Sequence, residues 1–268
     1  MLIVGRGRLG RSLARVLRAR GVALTQWAGR GRWPAMPDVD VALLAVADPF
    51  LEEVASRLAP RLAPECVVIH ASGARGIETL DALRPRARAV MHPLVSFVGV
   101  GPSLEGAFAV VAGDRAAMGR TRWLARALGL TTIEAAIHGA RYHAAAALVA
   151  NGAAALATRA VGAIEKQGVS RRRAERAVAG LLRSVADNVA SVGVPRALTG
   201  PIVRGDARTV RAHRAAMDLR TRAAYDAIAP VILDVAREAG LSREKARAIR
   251  AALLTRASSR ARPRSRRG

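Results

Sequence analysis

Aromatic residues make up only 3% of this 268-residue chain, so its core must be assembled from alanine, valine and leucine within a hydrophobic share of 51%. Lysine is almost missing, with Lys166 and Lys245 the only two among 44 basic residues. Acids number 20, which leaves a formal charge of +24. The single cysteine, Cys66, excludes an internal disulfide framework and a cysteine metal cluster. Next to Val67, Val68 and Ile69 it reads as a small buried apolar residue. The five histidines are dispersed, without the paired helical spacing and nearby acid of a metal site, so no metal is expected. There is no nucleophile elbow. No apolar run approaches membrane-spanning length free of charge, and no signal segment is expected before the first strand. The expectation is a cytoplasmic chain that does not enter a membrane. Excess positive charge raises the question of nucleic acid. The arginines are scattered over helix faces rather than gathered in one stripe, so nucleic acid is not the expected partner.

What is present starts at once. Leu2-Ile3-Val4 runs into Gly5-Arg6-Gly7-Arg8-Leu9-Gly10, an apolar strand ending in G-x-G-x-x-G, and residues 11–20 read as a helix. In a dinucleotide site Gly5 permits the tight turn, Gly7 admits the pyrophosphate to the backbone, and Gly10 lets helix and strand pack closely. The helix N-terminus offers free amides and a positive dipole end to the phosphates. A second strand follows at residues 22–27, which makes the motif far more specific than glycines alone. Where an NAD site carries an acid on the ribose, this chain reads Ala28-Gly29-Arg30-Gly31-Arg32, with no acid before Asp38. Arg30 and Arg32 suit a 2′-phosphate, so NADP is the expected cofactor. Arg8, Leu9 and Ala47 join Gly5, Arg6, Gly7 and Gly10 as expected cofactor contacts.

Strand and helix then alternate: strands at 40–46, 66–69, 88–91, 107–112 and 131–134, helices at 49–58, 76–83 and 115–128. This predicts an α/β fold, a doubly wound parallel sheet, over residues 1–136. From His138 onward only helices are predicted, at 142–166, 171–192, 207–216, 218–239 and 242–255, with Ser242 as an N-cap and Pro230 as a kink. An all-helical domain over 137–256 and a disordered basic tail over 257–268 complete the expected organisation.

His-Ala-Ser-Gly at 70–73, Met-His-Pro-Leu-Val-Ser-Phe at 91–97, Tyr-His-Ala-Ala-Ala-Ala-Leu-Val-Ala-Asn-Gly at 142–152 and Ala-Leu-Thr-Gly-Pro-Ile-Val-Arg-Gly-Asp at 197–206 complete the pattern. With the glycine motif, the chain resembles Rossmann-like proteins with a C-terminal helical domain of unassigned function. These are related to pyrroline-5-carboxylate reductase, ketopantoate reductase, prephenate dehydrogenase and deazaflavin-dependent NADP oxidoreductases. The resemblance covers all but the tail and implies an oxidoreductase that dimerises through its helical domain. Arg6 departs from it, since related sites carry a small residue there.

Ligands in such sheets bind beyond the carboxyl ends of the strands, which places His70, Ser72, Gly73, His92 and Pro93 near a nicotinamide. Ser72 offers a hydroxyl. A similar His-Pro turn borders the substrate in the prephenate dehydrogenase relatives, making His92 and Pro93 substrate-binding candidates, while His70 reads as structural. The resemblance also implies a lysine acid and an orienting asparagine on the long helix. This chain has no lysine there; His143 stands in a comparable place, with Asn151 two turns on. Arg204 can hold a substrate carboxylate, or pair with Asp206. The sequence thus reads as an NADP-dependent oxidoreductase reducing a small carboxylate-bearing 2-oxo acid. His143, Asn151 and Ser72 are the catalytic candidates. An imine reductase, a non-catalytic NADP sensor or scaffold, and an electrostatic nucleic-acid binder stand as alternatives.

Overall fold

The computed structural model describes residues 1–31, 38–99, 101 and 103–255. Two compact units divide at Ala150 and Asn151.

The first unit holds seven strands: β1 (Leu2–Val4), β2 (Thr25–Trp27), β3 (Val41–Leu44), β4 (Val67–His70), β5 (Arg88–Pro93), β6 (Phe108–Gly113) and β7 (Thr131–Glu134), in one sheet ordered β2-β1-β3-β4-β5-β6-β7. The expected all-parallel sheet needs one correction. β5 and β6 pair antiparallel, so β6 and β7, parallel to each other, run against the other five. A 3₁₀ segment at Asp48–Phe50 precedes α2 (Leu51–Leu58), and another at Ile77–Leu83 stands where a short helix was expected.

Strand alternation sends neighbouring side chains to opposite faces. Ile3, Leu43, Ile69 and Met91 pack with α1 (Arg8–Ala19) and α3 (Arg115–Leu128) on one face. Leu2, Val4, Leu44 and Val68 pack with α2 (Leu51–Leu58) and Leu80 on the other. Both faces are covered, which is why the first strands read as continuous apolar runs.

Helices make up the rest: α4 (Ala140–Glu165), α5 (Arg171–Val192), α6 (Pro201–Arg204), α7 (Ala207–Ala216), α8 (Leu219–Glu238) and α9 (Arg243–Leu254). The turn α6 lies in a stretch expected to be loop, and α8 runs through Pro230. Ile202, Val210, Ala229, Leu233 and Ile249 form one small core of the second unit. Arg214 clamps it, donating to both carboxylate oxygens of Asp226 at 2.7 and 3.0 Å and to the carbonyls of Ala252 and Thr255. Asp206, Asp218 and Ser242 cap α7, α8 and α9, each accepting a backbone N–H of the first turn.

α4 and α5 bury far less. Val161, Ala174 and Val178 are the buried members of their shared cluster. Leu148, Val149 and Leu181 are 75%, 73% and 65% exposed. The sequence predicted no apolar run of membrane-spanning length free of charge; by length and composition α4 is apolar enough to span, with mean hydropathy 1.4 over its best 18 residues, but it carries Arg141, Arg159 and Glu165. The basic tail lies outside the described residues.

Candidate active site

The three glycines of the first turn have different surroundings. Gly5 has φ +123°, and a Cβ there would stand 2.2 Å from the Ala45 carbonyl oxygen. A Cβ on Gly10 would stand 2.3 Å from the Gly5 oxygen. These two positions are closed by the fold itself. Gly7, which caps α1 with extended backbone, would meet nothing within 4 Å. The first turn of α1 holds no acid and Gly7 supplies no side-chain cap, so its amides face open space beside the one glycine that leaves room. This arrangement suits a phosphate.

A cleft of about 550 Å³ opens beside this turn, across the carboxyl ends of β1, β2 and β3. Gly5, Arg6, Gly7, Arg30 and Ala47 all line it. Arg8, Leu9 and Gly10 lie in the first turn of α1, next to it. Arg6 bends away from the glycine turn and donates to the Gln26 carbonyl at 3.1 Å, while the Gln26 amide donates to the Gly5 carbonyl at 2.9 Å. Arg30 is exposed at the rim, and Arg32 lies outside the described residues. Sequence reasoning missed Arg57, which reaches in from α2: it lies over the Trp27 ring at 5.5 Å, donates to the Gly29 carbonyl at 3.2 Å and neighbours Glu53 at 3.7 Å. Nothing in the linear order marks Arg57, because 30 residues separate it from Trp27. Among the described residues, Glu53 is the one carboxylate lining the cleft.

A second constellation stands at the ends of β4 and β5. His70, fully buried, lies 3.0 Å through Nε2 from the Gly76 carbonyl and accepts the Ser72 amide on Nδ1 at 3.2 Å. Nε2 therefore carries the proton. Burial pushes His70 down to about 4, so it is neutral and shapes the turn, as its structural reading expected. Ser72 is buried too, and its hydroxyl accepts the Ala74 amide. Gly73 lies under the His92 ring; a Cβ there would stand 2.8 Å from it. The Gly73 carbonyl also accepts the Gly139 amide at 3.0 Å, tying this turn to the head of α4.

His92, next to buried Pro93 at the end of β5, places Nδ1 2.7 Å from the Tyr142 hydroxyl. Burial, then the neighbouring His143 and His138, push His92 down to about 4. Its ring meets those of Tyr142 and His143 edge-on at 5.5 and 6.0 Å, and His138 packs on Tyr142 at 5.5 Å. His138 donates to the Val110 carbonyl at 3.2 Å, and burial lowers its basicity. Burial raises Tyr142. The structure thus brings Ser72, His92, Pro93 and His143 to neighbouring strand and helix ends of one unit and adds Tyr142, which the sequence quoted only as part of a motif. Its signal was adjacency to His143; its partner, 50 residues away, was invisible.

Asn151 and Arg204 belong to the second unit. Asn151 is exposed on α4, and Arg204 is exposed at the end of α6. The Asp206 carboxylate is engaged at the start of α7, accepting the Thr209 amide at 2.9 Å and its hydroxyl at 2.6 Å.

No curated protein matches the sequence. Residues 107–232 match a family model described as Domain of unknown function (DUF2520). Among solved structures, protein TM1727 from Thermotoga maritima is similar at 25% identity and a TM-score of 0.64, over 89% of this chain and 98% of that one. A Bacteroides fragilis protein provisionally described as an NADP oxidoreductase aligns with a TM-score of 0.69 at 15% identity, over 87% and 97% of the two chains. Plasmodium falciparum pyrroline carboxylate reductase, solved with NADP bound, aligns with a TM-score of 0.55 at 12% identity over 94% of each. The chain thus shares the Rossmann-type fold of these solved structures, with the family match confined to residues 107–232.

Proposed function

We propose that the chain is an NADP-dependent reductase of small carboxylate-bearing carbonyl compounds, 2-oxo acids first among them. One observation carries the reading: Gly5 and Gly10 are closed by backbone while Gly7 stands open at the amide end of α1. A turn that served packing alone would not need the third glycine. Arg30 at the rim, with Ala28 and Gly29 where an acid would grip a free ribose, supports NADP over NAD. Arg6 adds positive charge at the same end of the cleft, and Glu53 is countered by its neighbour Arg57.

Bound there, the cofactor would supply hydride. The residues around the ends of β4 and β5 would do the rest: the Ser72 turn and His92 bordering the substrate, and the rings at the head of α4, His143 among them, managing the proton. We further propose that two copies pair through the exposed apolar faces of the helical part, where Leu181, Val185 and Val189 line one side of α5.

The test is a titration of the purified protein with NADPH and with NADH at fixed salt, followed by nicotinamide fluorescence. The reading expects micromolar NADPH binding, weaker NADH binding, and a preference that shrinks or reverses in Arg30→Glu. Equal affinity for both nucleotides would remove the NADP assignment, and no binding of either would remove the reductase reading.

A further inference from the structure

We propose that the Tyr142 hydroxyl, seated on His92 at the head of α4, is the group that gives the proton to the substrate oxygen. This rests on the reductase reading above.

The cleft spans the ends of β2, β1 and β3, with Arg30 at its β2 side. Beyond β3 the sheet continues to β4 and β5, two strand spacings or about 10 Å further on. A dinucleotide whose phosphorylated ribose sits at Arg30 and whose pyrophosphate sits at Gly7 therefore points its other end toward His92 and Tyr142. The pair is also fixed in place. The His92 ring lies on the face of Gly73, the Gly73 carbonyl accepts the Gly139 amide, and His138 packs on Tyr142 from the segment before α4. His143, the donor expected from sequence, is exposed and meets His92 only ring to ring.

Protonation separates the candidates. His92 sits at about 4, so at neutral pH its ring is uncharged and has no acidic proton to give. The phenol of Tyr142, raised by burial, stays protonated at neutral pH and so has the proton to give. In the step, the carbonyl carbon gains a hydride with its electron pair from the dihydronicotinamide, which is oxidised. The carbonyl π pair moves to oxygen, the Tyr142 O–H bond breaks, and that proton joins the oxygen to give the alcohol. The phenolate left behind accepts a hydrogen bond from Nδ1–H of His92 and is reprotonated by water. His92 is thus a positioning residue and Tyr142 the acid.

The chain has two tyrosines, so Tyr225→Phe leaves Tyr142 as the only one. With carbon-13 at tyrosine Cζ, its ionisation is followed by NMR in the free protein and with NADP⁺ or NADPH bound. A cationic nicotinamide beside Tyr142 should lower its pKa by about one unit relative to the NADPH complex. If both nucleotides bind by fluorescence yet leave Tyr142 titrating alike, Tyr142 is not at the reacting atoms, and the reductase reading stands without it. If neither binds, the reductase reading falls and takes this proposal with it. On the first carbonyl compound reduced, Tyr142→Phe should lower kcat by about 10²-fold or more at unchanged NADPH affinity. Turnover within a few-fold of wild type in Tyr142→Phe would overturn the proposal.

Discussion

The sheet and the long helices α4 and α5 spend their apolar residues in opposite ways. Leu2, Ile3, Leu43, Leu44 and Ile69 are fully buried between two covering layers, whereas Leu148, Val149 and Leu181 face outward. Both regions come from the same aromatic-poor alphabet. In the sheet, period-two alternation hands each side chain to a covered face. On α5 the helical period produces an apolar face that the chain itself barely covers, with Ala174 and Val178 its buried members. The sheet is complete as folded; the helical pair is built as though its other half were elsewhere. That exposed face is the one through which we propose that two copies pair.

The largest test of that contrast is a matched pair of truncations. Leu43→Ala removes a fully buried side chain and should cost roughly 2–5 kcal/mol in denaturant unfolding. Leu181→Ala should change monomer stability by no more than about 0.5 kcal/mol while shifting sedimentation toward the monomer. A Leu181→Ala variant as damaged as Leu43→Ala would mean that α5 is buried within a single chain.

The next effect separates the units by pH. His70 has a folded-state pKa of about 4 against 6.5 unperturbed, so the unfolded chain binds the proton first as pH falls. Its contribution is complete above pH 6.5, declines between 6.5 and 4, and is gone below. The shift of roughly 2.5 units corresponds to about 3 kcal/mol. His70→Gln should flatten the decline, as read by urea midpoints across that window; an unchanged slope would contradict the buried, neutral imidazole.

A smaller effect lies among the short helices. Asp206→Ala deletes the cap of α7 and should cost about 1 kcal/mol. Asp206→Asn should recover most of it, since the amide oxygen still accepts from Thr209.

Much of this architecture was legible in the chain itself. Gly5, Gly7 and Gly10 announced the first turn, and residues 115–128, 131–134 and 171–192 fell where their apolar periods put them. The reversal of β6 was not legible, because a buried strand such as Phe-Ala-Val-Val-Ala-Gly reads the same in either direction; only the pairing of Met91 with Val111 reveals it. The site was half visible. His92 and His143 stood out as rare residues after strands or on a helix head. Tyr142 and Arg57 did not, because their significance lies in the partners His92 and Trp27, which only folding supplies. The alternative pairing of Arg204 with Asp206 met a local competitor, the Thr209 amide and hydroxyl three residues on.

The account turns on the claim that Gly7 is kept for a ligand while Gly5 and Gly10 are kept for the fold. The direct measurement is NADPH affinity and thermal midpoint of Gly7→Val beside wild type. Because a Cβ at Gly7 would meet nothing within 4 Å, the variant should melt within a few degrees of wild type. Its NADPH affinity should fall at least about tenfold, since the side chain takes the space at the amide end of α1. Wild-type affinity in a stably folded Gly7→Val protein would contradict the claim.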